Sequence, residues 1–148
     1  MNVERATSNV QRGEAGEDMS GERDEHARNF GLEERLLDYA TAVIGLTDGM
    51  KATAAGRHLA SQLLRSGTSP LGSHGEAQSA ESTKDFIHKF RMALKELRES
   101  FRWLKLIGRA RLHENGNEVA HLLNETGQLI RIFNASIRTA QKRLPQKP

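Results

Sequence analysis

Lys84, His88, Arg91, Lys95, Arg98, Arg102, Lys105 and Arg109 follow one another at spacings of four and three. In a helix each residue turns about 100° and rises about 1.5 Å, so this series forms one basic ridge about 37 Å long. A row of long cations matches the charge of a phosphate backbone. No aromatic side chain is interleaved in it to stack bases, so the row suits contact with phosphates rather than sequence readout. It also has a plainer explanation. Charges beside an apolar seam commonly lay their stems on it and pair with acids of neighbouring helices or subunits. Asp85, Glu96 and Glu99 are the local acids, and their spacing puts them on another side of the helix. Two readings stand at this level. Either Lys84, Arg91, Lys95, Arg98, Arg102, Lys105 and Arg109 contact RNA or DNA phosphates, or they form ion pairs within or between subunits.

Other residues imitate chemical motifs without completing them. Glu118 and His121 have the Glu-x-x-His spacing with which ferritin-like bundles hold iron, and Asp85 with His88 repeats it. A di-metal site also needs an inward carboxylate from each of two further helices. The first helical stretch offers only Glu33, Glu34 and Asp38 near its start, and the second has no acid before Glu76. Glu118 is also expected near a helix start for dipole reasons alone. The run Gly67-Thr68-Ser69-Pro70-Leu71-Gly72 resembles the start of a phosphate loop, but the required Lys does not follow. With no cysteine in the chain, thiolate metal sites, disulfides and Cys nucleophiles are excluded. The expectation is a protein that is not an enzyme and holds no metal or other cofactor.

Met92, Trp103, Leu106 and Ala110 extend the apolar surface of the ridge-bearing helix away from its main seam. A helix apolar on two sides must bury both. A second subunit covering Met92, Trp103 and Leu106 satisfies that need, and a Trp is a typical interface anchor.

These residues require helices to carry them. Leu32, Leu36, Tyr39, Val43, Leu46 and Met50 recur at helical spacing, widened by Leu37, Ala40 and Ile44, and Asp48-Gly49 ends the pattern. A second stretch spans about Ala54 to Arg65, with Ala55, Leu59, Leu63 and Leu64 on one side. Residues 66–82 hold three glycines, a proline and five serines. A structureless loop of that length is improbable inside a compact domain, so a helix restarting at Pro70, capped by Ser69 and running to about Ala80, is expected. Ser82-Thr83-Lys84-Asp85 has capping-box spacing. After it Thr83, Ile87, Phe90, Leu94, Leu97, Phe101, Leu104 and Gly108 mark the longest helix. Asn117 is positioned to cap a last helix whose face is Val119, Leu123, Thr126, Ile130, Phe133, Ile137 and Ala140, closed by Leu144-Pro145. The sum is an all-α protein: an antiparallel up-down four-helix bundle with a small-residue, Pro-interrupted second helix.

Length and charge set the outer limits. The 148 residues suffice for one domain, read as a bundle over 31–144 with a short C-terminal tail at 145–148. Residues 1–30 carry four basic and seven acidic side chains, against 18 and 12 in the remainder. That first segment has only scattered apolar residues, so a disordered acidic tail is expected, or one that folds on a partner. The folded part is basic. No apolar run reaches the roughly 18 residues of a membrane span, which makes a cytoplasmic protein without membrane contact the default expectation.

At Gln62-Leu63-Leu64-Arg65-Ser66-Gly67-Thr68-Ser69-Pro70, then Glu76-Ala77, Asp85-Phe86-Ile87-His88-Lys89 and Leu94-Lys95-Glu96-Leu97-Arg98-Glu99, the chain resembles a known family. It is similar to the four-helix-bundle proteins encoded in intervening sequences of bacterial 23S ribosomal RNA genes, and through them to the accessory variability proteins of diversity-generating retroelements. The resemblance covers about residues 32–140. Gly72, Ser73, His74 and Gly75 depart from the Ala-Asn and apolar residue usual before the Glu-Ala. The resemblance implies antiparallel helices, a ring-shaped homopentamer and no established enzymatic activity. In the retroelement relatives it further implies a basic surface that binds nucleic acid and a reverse transcriptase.

Overall fold

The computed structural model describes residues 15–146, and within them four helices follow in order: α1 (Ala15–Asp48), α2 (Ala54–Gln78), α3 (Thr83–Ala110) and α4 (Gly116–Gln141). They divide into two units, one ending at Leu32 and the other, from Glu33 onward, holding the bundle. Residues 1–14 of the expected acidic tail lie outside the described residues, as do residues 147 and 148 of the C-terminal one.

The start of α1 differs from expectation. It begins at Ala15 rather than near Leu32, so residues 15–30 are helical. Half of these sixteen residues are Ala, Glu, Arg or Met, which favour helix without any tertiary contact. Phe30 is exposed, and Arg28 Nε donates to its own helix, at the Asp24 carbonyl.

Side-chain caps fix the other helix starts. Thr53 accepts from the Gly56 amide to open α2. Ser82 accepts from the Asp85 amide to open α3, as the capping-box spacing predicts, while the Asp85 carboxylate accepts at 3.4 Å from the Glu81 amide, one residue before the cap, rather than from the Ser82 amide of a full box. α4 is capped by Asn115 rather than Asn117, its side chain accepting from the amides of Asn117 and Glu118.

α2 is one continuous helix with Pro70 inside it, not a helix that restarts there. Proline removes a backbone donor and crowds the preceding turn. Neighbouring hydroxyls serve the carbonyls of that turn, Thr68 donating to the Leu64 carbonyl and Ser69 to that of Arg65. Ser69 thus bonds back along the helix instead of capping a new one.

The core is formed by Leu36, Tyr39, Val43 and Leu46 of α1, Leu59 and Leu63 of α2, Ile87, Phe90, Leu94, Leu97, Leu104 and Ile107 of α3, and the inner face of α4. Leu37, Ile44 and Leu64 are exposed and do not widen the buried stripe. On α4, Leu122 and Leu129 are buried where Leu123 and Ile130 were expected; the latter pair is half-buried. Gly67 lets α2 approach α1 closely, because a Cβ there would lie 2.7 Å and 2.9 Å from the two Val43 methyls.

A belt of buried hydroxyls crosses the bundle. Tyr39 of α1 shares a hydrogen bond with Thr126 of α4 at 2.7 Å, and the Ser100 hydroxyl of α3 shares one with the Ser66 hydroxyl of α2 at 2.8 Å. Thr126 also donates to the Leu122 carbonyl and Ser100 to that of Glu96, so none of these groups is orphaned. Burial pushes the Tyr39 phenol up to about 12.

At one end the α1–α2 and α3–α4 connections are stitched together by an antiparallel bridge between Met50 and His113. The Lys51 amide donates to the Leu112 carbonyl and the Glu114 amide to that of Gly49. His113 is buried beneath the bridge, its Nδ1 accepting from the Asn115 amide and its Nε2 2.9 Å from the Leu46 carbonyl. Gly49 is needed here because a Cβ would collide with the His113 ring.

Candidate nucleic-acid interface

α3 carries the ridge because its core face and its cationic row are two parallel series on one unbroken helix. Ile87, Leu94, Leu97 and Leu104 anchor the inner face. Lys84, His88, Arg91, Lys95, Arg98, Arg102, Lys105 and Arg109 are all exposed. The ridge runs beside α4, and the two helices enclose shallow grooves. One, of about 480 Å³, is lined by Arg91, Lys95, Arg98 and Arg102 over Leu94, with Asn134 and Ile137 of α4 opposite. A second, of about 300 Å³, is lined by Lys105, Arg109, Leu104 and Gly108 of α3 and by Gly116, Val119, Ala120 and Leu123 of α4.

The ion pairs of the bundle lie on other seams. Arg65 of α2 bonds both Glu96 and Glu99 of α3, and Lys89 pairs with Glu76 of α2 at 3.0 Å. Burial alone would raise Glu99, but the bonds from Arg65 and Trp103 hold it below the usual carboxylate value. Between α1 and α4, Arg35 grips Glu125 with two nitrogens, at 2.6 and 3.2 Å. Glu96 and Glu99 therefore lie on another side of the helix from the ridge, as their spacing predicts, and the structure turns that side to α2. Among the described residues no acid lies within salt-bridge distance of any ridge cation. Lys105 Nζ lies 5.7 Å from the centre of the Phe101 ring.

Of the apolar residues assigned to a subunit interface, Met92 and Leu106 are exposed, while Trp103 is half-buried with its indole N–H donating to Glu99 at 3.3 Å. The Glu-x-x-His pair separates. Glu118 lies 4.0 Å from His113 rather than beside a second carboxylate, and His121 is exposed. Among the described residues no three His, Asp or Glu side chains converge as a metal site would require.

Sequence reasoning missed the α4 wall of the groove. Asn134 and Ile137 line it, and Gly127 faces the same neighbour, since a Cβ there would lie 3.8 Å from Phe101. The signal is present: Ala120, Leu123, Gly127, Asn134 and Ile137 fall at spacings of three, four, seven and three, and Arg131 and Arg138 belong to that flank. One side of α4 is thus given to α1 through Glu125 and the other to α3.

A crystal structure sharing this arrangement is that of a protein with unknown function from the S23 ribosomal protein family of Bacteroides thetaiotaomicron. The two share 26% identity with a TM-score of 0.66. This chain is a structural neighbour of an S23-family protein. The match covers 74% of this chain and 97% of the S23-family neighbour, so the likeness extends over nearly the whole of that protein. No protein-family model matches the chain, and no curated protein does. Among the described residues no helix is long and apolar enough to cross a membrane.

Proposed function

We propose that this chain is a non-enzymatic, oligomeric accessory protein of the S23 type that binds RNA or DNA by its phosphate backbone through the α3 ridge. The observation that carries this reading is the row itself: seven Lys and Arg side chains on one helix, all exposed, with no acid within salt-bridge distance among the described residues. Desolvated or paired cations serve structure, whereas a run of solvated ones sets up a positive field that concentrates polyanions. The S23-family neighbour supports the family to which the sequence motifs pointed. The resemblance to retroelement accessory proteins adds a reverse transcriptase or another nucleic-acid enzyme as partner. Exposed Met92 and Leu106 on α3, together with Leu37, Ile44 and Leu64 on α1 and α2, supply apolar surface for self-association, with a homopentamer as the assembly.

The double variant Arg98→Gln and Arg102→Gln tests this. Nucleic-acid affinity is read against salt, and mass is read by light scattering. Removing two phosphate contacts should flatten the slope of log K against log salt by about 1.4 to 1.8 and leave the oligomer intact. If the cations instead served ion pairs between subunits, the variant would dissociate the oligomer and leave the salt slope unchanged. A wild-type monomer at 16.5 kDa would remove the oligomer from the proposal.

A further inference from the structure

We infer that the nucleic acid taken by this surface is single-stranded, and that it lies along the α3–α4 groove between two rows of cations, the second formed by Arg131 and Arg138 of α4. This rests on the reading of the ridge as a phosphate-binding surface and specifies its ligand.

The geometry of the row favours a single strand. The ridge cations come every 4.5 to 6 Å or so along a straight helix about 37 Å long. A flexible single strand can lay successive phosphates along such a line. A duplex cannot, because each of its strands winds once around the axis in about 34 to 36 Å. A straight row of that length meets each strand about once, leaving most of the cations without a phosphate.

The shape of the site points the same way. Arg91, Lys95, Arg98 and Arg102 rise on one side of a shallow groove whose floor includes Leu94 and Ile137. Neighbouring helix axes stand about 8 to 10 Å apart, so the groove between them is too narrow to seat a duplex. On the far side, Arg131 stands four residues after Gly127, which faces Phe101 of α3, and three before the groove residue Asn134. Arg138 follows Asn134 by four. Both arginines are exposed, and neither has a carboxylate within salt-bridge distance among the described residues. The acids of α4 are kept away from this flank: Glu125 is held by Arg35 of α1, and Glu118 lies towards His113. The groove therefore has cations on both rims and no acid on either. Four of them, Arg91, Lys95, Arg98 and Arg102, line one stretch, and by helical spacing Arg131 and Arg138 fall on the α4 flank beside it. With no stacking platform in the row, binding is to the backbone and tolerates sequence.

The test uses the full chain and three fluorescent probes of one mixed sequence: a 20-nucleotide RNA strand, the matching DNA strand and the 20-base-pair DNA duplex. Anisotropy titrations run from 50 to 200 mM salt. Six contacts at about 0.7 each predict that the single-strand affinity falls about 300-fold over this range, and two contacts at about 0.9 predict a loss of only about tenfold for the duplex. Changing Arg131 and Arg138 together to Gln should reduce the single-strand loss to about 50-fold. A preference for RNA or DNA between the two strands would identify the sugar that the site accepts. Duplex binding as tight and as salt-dependent as that of the single strands would overturn the inference and leave the phosphate-binding reading standing. So would an unchanged single-strand slope in the α4 variant. Absence of salt-dependent binding to all three probes would remove both. The duplex comparison needs no substitution and stands even if a variant fails to fold.

Discussion

His74 shows how one side chain can oppose the packing around it. It is fully buried on α2, edge-on to Phe90 at 5.8 Å, with its Nε2 3.4 Å from the Gln78 amide nitrogen and its Nδ1 without a partner among the described residues. Burial holds its basicity below the ordinary histidine value, and Glu33 of α1 opposes this only in part. The unfolded chain therefore takes up a proton near pH 6.5 that the folded chain refuses, and stability falls as pH drops through and below that point. His74→Leu removes both the proton and the orphaned nitrogen. It should raise stability at pH 7 by about 1 kcal/mol, in the range of a buried unsatisfied polar group, and reduce the loss of melting temperature between pH 7 and pH 5. A variant with the same acid sensitivity as the parent, followed by circular dichroism, would place that sensitivity elsewhere.

Within the helices, small residues act at particular contacts rather than as a stripe. Gly67 is filled on its open side by the Val43 methyls, and Val43 is completely buried and stiff at its first torsion. Gly72 sits five residues further along the same helix with nothing within 4 Å of the place of a Cβ. The same change should thus have opposite signs at the two positions. Gly72→Ala gains up to about 1 kcal/mol from helix propensity alone. Gly67→Ala meets an overpacking term of about 1 to 3 kcal/mol and should be destabilising in urea melts. Equal effects at the two sites would mean that α1 can yield at Val43. This distinction was not legible in the sequence, where both positions are glycines in one Ser- and Gly-rich run. The four helices, the α3 cap and the phase of α3 were legible, because Ile87, Phe90, Leu94 and Leu97 admit one buried face and Ser82 with Asp85 one start. α4 was half legible. Leu122-Leu123 and Leu129-Ile130 are adjacent apolar pairs, so a helix of either phase buries one member of each, and only packing against its neighbours decides. Pro70 misled for a different reason: the hydroxyls of Thr68 and Ser69, which elsewhere open helices, here bond backward and carry one through. At the candidate interface, the α3 row was read from spacing alone. The α4 wall was not, since knowing which flank of α4 meets α3 requires the fold.

Across the whole bundle, charge is sorted by seam. Acids meet bases between α1 and α4 and between α2 and α3, and the α3–α4 seam is left positive. The two ends of the bundle are also unlike. α1 with α2 and α3 with α4 form two hairpins, joined through the chain by the turn from Ser79 to Ser82 and, at the opposite end, by the Met50–His113 bridge. A covalent hinge at one end and a hydrogen-bonded clasp at the other leave no free edge from which the two halves can swing apart. Fraying at the clasp alone releases none of the closure entropy of the 62 residues between Met50 and His113, which is recovered only when the whole structure melts. The Lys51 and Glu114 amides lie outside every helix, yet hydrogen exchange should show them as slow as amides at the centre of α3. Exchange at the rate of an ordinary surface turn would mean that the clasp opens by itself. If they are slow, two residues in connecting loops become reporters of global unfolding, and the rate at which deuterium reaches them measures how often the two hairpins part.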